Sequence, residues 1–335
     1  MNVLLIYPNV THQEALSPGI GYIYGWLKKK KRTYNIKLFD FTWGATVKEC
    51  YKYIISFNPN IIGFSISTFD FHFTKTLIKG IRRISNALIV LGGIHPTVAP
   101  EESIQHADVI CLGEGEEAFD ELIEKLNSNE NYSNIKNLWV RSGDKIIKNE
   151  LRDLNQNLDE YICERDIFDV DKYVTGRFSL LDVYAGRGCP YNCTYCVNFY
   201  KRNLCKGKGK FVRMRSPENI IGEILDLKRK YNIKRVSFQD DTFTFNKNWL
   251  LKFCNLYSKE VKLPFVCNAR VENITEEVAK ALKDANCNGL LLGVESGSER
   301  IRKMILNKPI TNEQIISAFQ LCKKYGIETL SFNMV

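Results

Sequence analysis

Short apolar runs alternate with helical spacing along most of the chain, and this alternation restricts the accessible folds more than any other feature. In residues 1–125, the runs at 3–7, 36–40, 61–66, 88–91 and 109–112 read as five buried strands. Val47, Cys50, Tyr51 and Ile54 recur at helical spacing between the second and third, as do Leu77, Ile81 and Ile84 between the third and fourth. Strands separated by helices build a parallel, doubly wound α/β sheet, which binds its ligands beyond the carboxyl ends of the strands.

Those ends carry small and polar residues. Pro18, Gly19 and Gly21 follow the first strand, and Ser65 and Ser67 the third. Gly92, Gly93, His95 and Thr97 follow the fourth, and Gly113 and Glu114 the fifth. Glycine lets a bulky ligand approach the backbone and hydroxyls can hydrogen-bond it, although ordinary turns have the same composition. A dinucleotide fingerprint fits poorly. It needs its glycines directly after the strand, whereas 11 residues separate Tyr7 from Gly19 and the third glycine, Gly25, comes one place late.

Residues 126–178 read as a linker. Its runs at 138–141 and 145–148 flank Ser142-Gly143-Asp144 as a hairpin, and an acidic stretch at 166–173 is expected to be extended. In residues 179–335 strands are expected at 180–184, 235–239, 265–270, 289–294 and 327–334. Helices begin at Ser216-Pro217, Lys247 and Thr275, and at a capping box formed by Thr311 and Gln314. Repeated strand–helix units predict a β/α barrel with its site at the strand ends.

The first of these strands leads into Gly188-Cys189-Pro190-Tyr191-Asn192-Cys193-Thr194-Tyr195-Cys196. Thiolates at Cys-x3-Cys-x2-Cys spacing suit an iron–sulfur cluster or zinc. Three ligands from one loop can hold three corners of a four-iron cube and leave one iron open. A closed zinc site needs a fourth Cys or His, and the nearby Cys205 matches no common zinc spacing. The bland alternative is a set of reduced, buried thiols.

Composition narrows the classes. The chain has 335 residues, 44% of them hydrophobic, which suffices for two packed domains. No apolar run reaches the ~18 residues of a membrane span. The N-terminus lacks the basic region and cleavage site of a signal peptide, so its 11 cysteines suggest a reducing, cytoplasmic setting. The net charge of +9 permits an anionic partner without requiring one. The basic run Lys201, Arg202, Lys206, Lys208, Lys210, Arg213 and Arg215 has no stacking-aromatic pattern, so it reads as a solvated loop and makes nucleic acid an unlikely partner.

The segment Arg187 to Cys196 resembles the cluster loop of the radical S-adenosylmethionine (radical SAM) enzymes. The resemblance implies a [4Fe-4S] cluster on Cys189, Cys193 and Cys196, with SAM on the open iron. It places Tyr195 near the adenine and Asp240 and Asp241 at the amino end of SAM. Asn268 and Arg270 would face the same mouth, and Glu295 would hold the ribose hydroxyls. Residues 18–22, 92–97 and 113–116 resemble the cobalamin-binding domain often fused ahead of a radical SAM domain. That implies a corrinoid over Pro18, Gly19, Ser65, Ser67, Gly92, Gly93, His95, Thr97, Gly113 and Glu114. The Asp-x-His-x-x-Gly pattern of many corrinoid proteins is absent and His12 is out of register, so cobalamin is expected without a protein histidine ligand. Some relatives keep this fold without the cofactor.

The expected architecture is therefore a Rossmann-like cobalamin-binding domain (1–125), a linker with a hairpin (126–178) and a radical SAM barrel (179–335). The family barrel is an open six-stranded one, so this barrel is expected to be incomplete at its C-terminus, through a truncated reading frame. The implied activity is a cobalamin-dependent methyltransferase acting on an unactivated carbon. Its expected partners are a small-molecule or peptide substrate and an electron donor such as flavodoxin or ferredoxin. Radical ring closure or rearrangement without methyl transfer is the enzymatic alternative, and a corrinoid- or cluster-binding protein without turnover is the other. A tRNA methylthiotransferase would carry a further cysteine trio in its first domain.

Overall fold

A computed structural model describes residues 1–11, 14–31, 34–176 and 180–334, so His12 lies outside the described residues. The chain divides into two compact units, Met1–Leu154 with Tyr161–Val170, and Asn155–Glu160 with Asp171–Val335.

The first unit contains β1 (Asn2–Tyr7), β2 (Asn35–Asp40), β3 (Ile61–Ser65), β4 (Leu88–Gly92), β5 (Val109–Cys111), β6 (Leu138–Ser142) and β7 (Lys145–Lys148). They form one sheet in the order β2-β1-β3-β4-β5-β6-β7. The first five strands are parallel, as expected, and the hairpin β6–β7 adds antiparallel to β5. Val3, Leu4, Leu5 and Ile6 are all buried, as a parallel strand covered on both faces requires. The chain leaves β1 toward β2 and leaves β3 toward β4, so a crevice opens between the carboxyl ends of β1 and β3.

The helix Pro18–Lys29 starts at that crevice, capped by Ser17 with proline in its first turn. A Cβ on Gly25 would lie 1.9 Å from the Ile162 carbonyl oxygen, and one on Gly21 would lie 2.7 Å from Cys163 Sγ. These glycines let the segment after the hairpin lie against the helix, and Glu164 N donates to Gly21 O at 3.1 Å. The acidic stretch differs from its expected extended form, because Val170–Gly176 is a helix. Val170, Tyr173 and Val174 bury at helical spacing, a pattern too short to stand out against the alternating aspartates.

The second unit contains β8 (Leu180–Val183), β9 (Gly186–Arg187), β10 (Arg213–Met214), β11 (Arg235–Phe238), β12 (Phe265–Ala269), β13 (Cys287–Glu295) and β14 (Glu328–Asn333). Five parallel strands lie in the order β14-β13-β12-β11-β8, and β9 pairs antiparallel with β10. Phe238, Phe243, Phe253, Tyr257 and Phe265 form a fully buried cluster, with Phe238–Phe243 stacked at 4.5 Å and Phe238–Phe265 edge-on at 5.4 Å. Such contacts contribute roughly 0.5–1.5 kcal/mol each beyond area burial, and they fix β11 and β12 where site residues emerge. Ser216, Thr275 and Thr311 cap the helices that return to the sheet, and Thr311 with Gln314 completes the expected capping box.

Candidate active site

The cysteine loop leaves the carboxyl end of β8. Both oxygens of the buried Asp240 accept from Ala185 N, at 3.0 and 3.1 Å, and bend the chain there. Burial raises the Asp240 carboxyl to about 7 against the pull of the Ala185 and Gly186 N–H groups. Gly188 has φ +81°, and a Cβ there would meet Phe211 O at 2.6 Å, so only glycine fits the turn.

Several elements then hold the loop. Arg202 donates to Asn192 Oδ1 at 2.6 Å and to the carbonyls of Cys189 and Tyr191. Thr194 bonds the carbonyls of Ile305 (2.7 Å) and Leu306 (3.1 Å), and Asn307 donates to Asn192 O at 2.8 Å. The Tyr191 hydroxyl donates to Asn273 Oδ1 at 2.8 Å. The basic run is thus only partly a solvated loop: Lys206 and Lys210 are exposed, but Arg202, Arg213 and Arg215 turn inward onto backbone carbonyls.

Each of the three sulfurs has its own polar neighbour. Cys189 Sγ lies 3.6 Å from Thr242 Oγ1, Arg270 Nη1 donates to Cys193 Sγ at 3.3 Å, and Asn198 Nδ2 donates to Cys196 Sγ at 3.7 Å. Burial pushes the Cys189 thiol above its ordinary range. Among the described residues no three His, Cys, Asp or Glu side chains converge as a single metal ion requires. In a four-iron cube each thiolate binds a different iron, so its ligands stand apart. Three cysteines on one braced loop, each sulfur facing a polar group, fit that requirement.

The residues expected around SAM lie at the ends of β11, β12 and β13. Asp240 faces inward onto the backbone, whereas its neighbour Asp241 is exposed. Asn268 Nδ2 donates to Asp240 O at 2.9 Å. Arg270 is buried and committed to Glu272 and Cys193. Glu295 sits at φ +70° with its carboxylate buried, and Lys308 Nζ donates to Glu295 Oε1 at 2.8 Å. Tyr195 is half exposed; partial burial first, then Cys193 and Glu295, raise its phenol above the usual range.

Lys308 and Thr242 are not legible in the sequence because their partners, Glu295 and Cys189, are distant in the chain, and Glu272, two residues from Arg270, belongs to no motif. Arg302, fully buried, bonds Ser296 O (2.6 Å), Ile310 O (3.0 Å) and Asn312 Oδ1 (2.6 Å), and so clasps the segment that returns Lys308 to Glu295.

In the first unit, Ser17 Oγ donates to Ser65 Oγ at 3.2 Å across the β1/β3 crevice, with Pro18 and Gly19 beside it. Ser67 donates to Asp70 Oδ2 at 2.6 Å, and Asp70 Oδ1 is buried without a partner among the described residues. Gly93 has φ +100°, and a Cβ there would meet Ile66 O at 2.6 Å. Thr97 Oγ1 bonds Gly93 O (2.8 Å) and Gly113 N (3.0 Å), joining the loops after β4 and β5. The Glu114 carbonyl accepts from Asn137 at 2.8 Å. Around Gly113, at φ +72°, the space within 4 Å of a Cβ is open. His95 is buried with its ring 3.9 Å from Phe71 and Nδ1 on Thr68, and burial lowers its pKa. Nε2 of that ring has no hydrogen-bond partner among the described residues. A cradle of glycines beside hydroxyls at a strand switch point fits a large planar ligand.

Comparisons with known proteins match two families to separate parts of the chain. The B12 binding domain family matches residues 9–123 and the Radical SAM superfamily matches residues 183–335. An uncharacterized methyltransferase of Pyrococcus horikoshii is 31% identical over 98% of this chain and 73% of its own length. An anaerobic magnesium-protoporphyrin IX monomethyl ester cyclase of Synechocystis is 25% identical over 89% of this chain and 60% of the relative. Among solved structures, the cobalamin-dependent S-adenosylmethionine radical enzyme OxsB with aqua-cobalamin and S-adenosylmethionine bound superposes with TM-score 0.80 at 22% identity, covering 99% of this chain and 49% of that one. The radical S-adenosylmethionine methyltransferase TsrM of Kitasatospora setae gives 0.83 at 18% identity, covering 98% and 67%. The chain therefore spans about half to three-quarters of the length of these relatives. No helix among the described residues is long and apolar enough to cross a membrane.

Proposed function

The chain belongs to the radical SAM superfamily, with a B12 binding domain ahead of its radical SAM domain, and on that premise we propose that it is a cobalamin-dependent methyltransferase acting on an unactivated carbon. The observation that carries this reading is the cysteine loop at the end of a parallel sheet, with each sulfur facing its own polar partner. When bound, the [4Fe-4S] cluster supplies the electron that cleaves SAM to methionine and a 5′-deoxyadenosyl radical, and cobalamin supplies the methyl group.

The protein's part is to hold and orient. Cys189, Cys193 and Cys196 would ligate three irons. Glu295, fixed by Lys308, would accept both ribose hydroxyls, because one carboxylate offers enough lone pairs for two such bonds. Tyr195 would flank the adenine, and Asp241 and Asn268 would line the same mouth. Asp240 would act indirectly, by bracing the bend that delivers the loop. In the first unit, Ser65, Gly92, Gly93, Thr97 and Gly113 would form the corrinoid cradle. The substrate would be a small molecule or peptide, and a flavodoxin or ferredoxin in the cytoplasm would deliver the electron.

Anaerobic reconstitution with iron, sulfide and hydroxocobalamin, followed by an assay for 5′-deoxyadenosine, tests the reading. The nucleoside should form with the wild type and vanish with Cys193→Ala. A wild-type protein that takes up no cluster sinks the proposal. The cyclase relatives favour a second reading, ring closure without methyl transfer, which an unmethylated product would establish.

A further inference from the structure

We infer that Arg270, balanced by Glu272, sets the reduction potential of the cluster through Cys193, an inference that rests on the reading of the three cysteines as cluster ligands. Arg270 directly follows β12 and is only 6% exposed. Its Nε and Nη2 bind one oxygen of Glu272, at 2.6 and 2.5 Å. The guanidinium carbon lies 3.7 Å from the centre of the Tyr191 ring, and Tyr191 is itself fixed by Asn273. Carboxylate, ring and buried position leave one direction for Nη1, which points at Cys193 Sγ at 3.3 Å.

Arg270 therefore brings a formal positive charge to a cysteine sulfur, whereas Thr242 and Asn198 approach the other two sulfurs as neutral groups and from farther away. Reducing the cluster adds negative charge that spreads onto its thiolates. A cation held against one of them favours the reduced form, and hydrogen bonds to the sulfurs act in the same sense. Glu272 opposes this from the far side of the guanidinium. Its Oε1 takes two of the arginine donors and its Oε2 is buried, so it acts strongly on the guanidinium, but the charge nearest Cys193 is that of Arg270, whose Nη1 touches the sulfur, and the nearer charge prevails. The arginine expected to face SAM thus has its nitrogens committed to Glu272 and to Cys193 of the cluster loop.

Redox titration of the reconstituted protein without SAM, followed by electron paramagnetic resonance with iron content measured alongside, tests this with two variants. Arg270→Gln should lower the potential, reducing the reduced-to-oxidised ratio at fixed potential at least tenfold, which is about 59 mV for a one-electron couple. Glu272→Gln, which keeps the shape of the side chain and removes its charge, should raise the potential. Opposed shifts at unchanged iron content are the expected result, since a merely structural role would move both variants the same way or neither. Unchanged potentials, or shifts of the same sign, overturn the inference. If Arg270→Gln loses its cluster, Glu272→Gln decides alone: a rise supports the inference and no rise overturns it. A wild type that binds no cluster overturns the underlying reading, and the inference with it.

Discussion

Glu295 has φ +70°, a left-handed conformation that strains a residue with a Cβ by roughly 1 kcal/mol or more, and its carboxylate is buried beside the Lys308 ammonium. The pair is kept close by Gly293, where a Cβ would lie 2.5 Å from Glu295 Oε1 and 2.6 Å from Lys308 Nζ. Strain and desolvated charge make this a poor source of stability, but they fix a carboxylate well. Breaking a buried pair costs roughly 3–5 kcal/mol, while replacing both partners is often close to neutral. Lys308→Met should therefore lower the unfolding free energy by about that amount, and Lys308→Met with Glu295→Gln should recover most of it. SAM cleavage should stay impaired in both. Denaturant midpoints and 5′-deoxyadenosine yield separate the two effects, and full activity in the double variant would make the pair merely structural. Asp240 offers a pH test. Its folded-state pKa, about 7, lies above the ordinary carboxylate value, so the native state binds an extra proton between roughly pH 4 and 7. That contribution to stability is fully present below the unfolded pKa and lost as pH rises through 7. Asp240→Asn should flatten this loss in denaturant midpoints measured from pH 4 to 8, and an unchanged slope would contradict the assignment.

At the scale of elements, the helix Pro18–Lys29 meets the segment that carries Ile162, Cys163 and Glu164 at backbone distance. Gly25→Ala would put a methyl group 1.9 Å from a carbonyl oxygen, and overpacking of this kind typically destabilises by about 1–3 kcal/mol. A thermal midpoint unchanged in Gly25→Ala would mean that the segment does not lie there. The same glycine shows where the sequence stops being informative. It looked like a misplaced nucleotide-binding glycine, because its real partner is distant in the chain. Strands β1, β3, β4 and β5 were legible because a parallel strand buried on both faces is a short continuous apolar run, whereas the edge strands β2 and β14 have no buried residue and show only as partly apolar segments. The helix starts at Ser216 and Thr311 were legible because capping is local. The cysteine loop could be read from spacing alone. Arg270 on Cys193 and Lys308 on Glu295 could not, since the first joins the end of β12 to the loop after β9, the second folds one connection back onto the end of β13, and neither spacing is a motif.

At the scale of the whole molecule, the three cysteines lie in the second unit and the glycine cradle in the first, each built on its own parallel sheet. Two sites carried by separately packed sheets should be separable by mutation. Cys193→Ala removes a ligand from a loop that Arg202, Thr194 and Asn307 still hold, so the protein should fold, lose iron and keep the corrin absorbance. Gly113→Asn works in the opposite direction. Asparagine tolerates the positive φ at this position better than other side chains do, and the space around it is open, so the fold should survive while the amide fills the cradle. Corrinoid retained through gel filtration should then fall at least tenfold while iron content stays at the wild-type level. If Gly113→Asn lost both cofactors, the sites would not be independent. If it lost neither, the open space at Gly113 would have no part in holding cobalamin, and the cradle would have to be sought nearer Ser17 and Ser65.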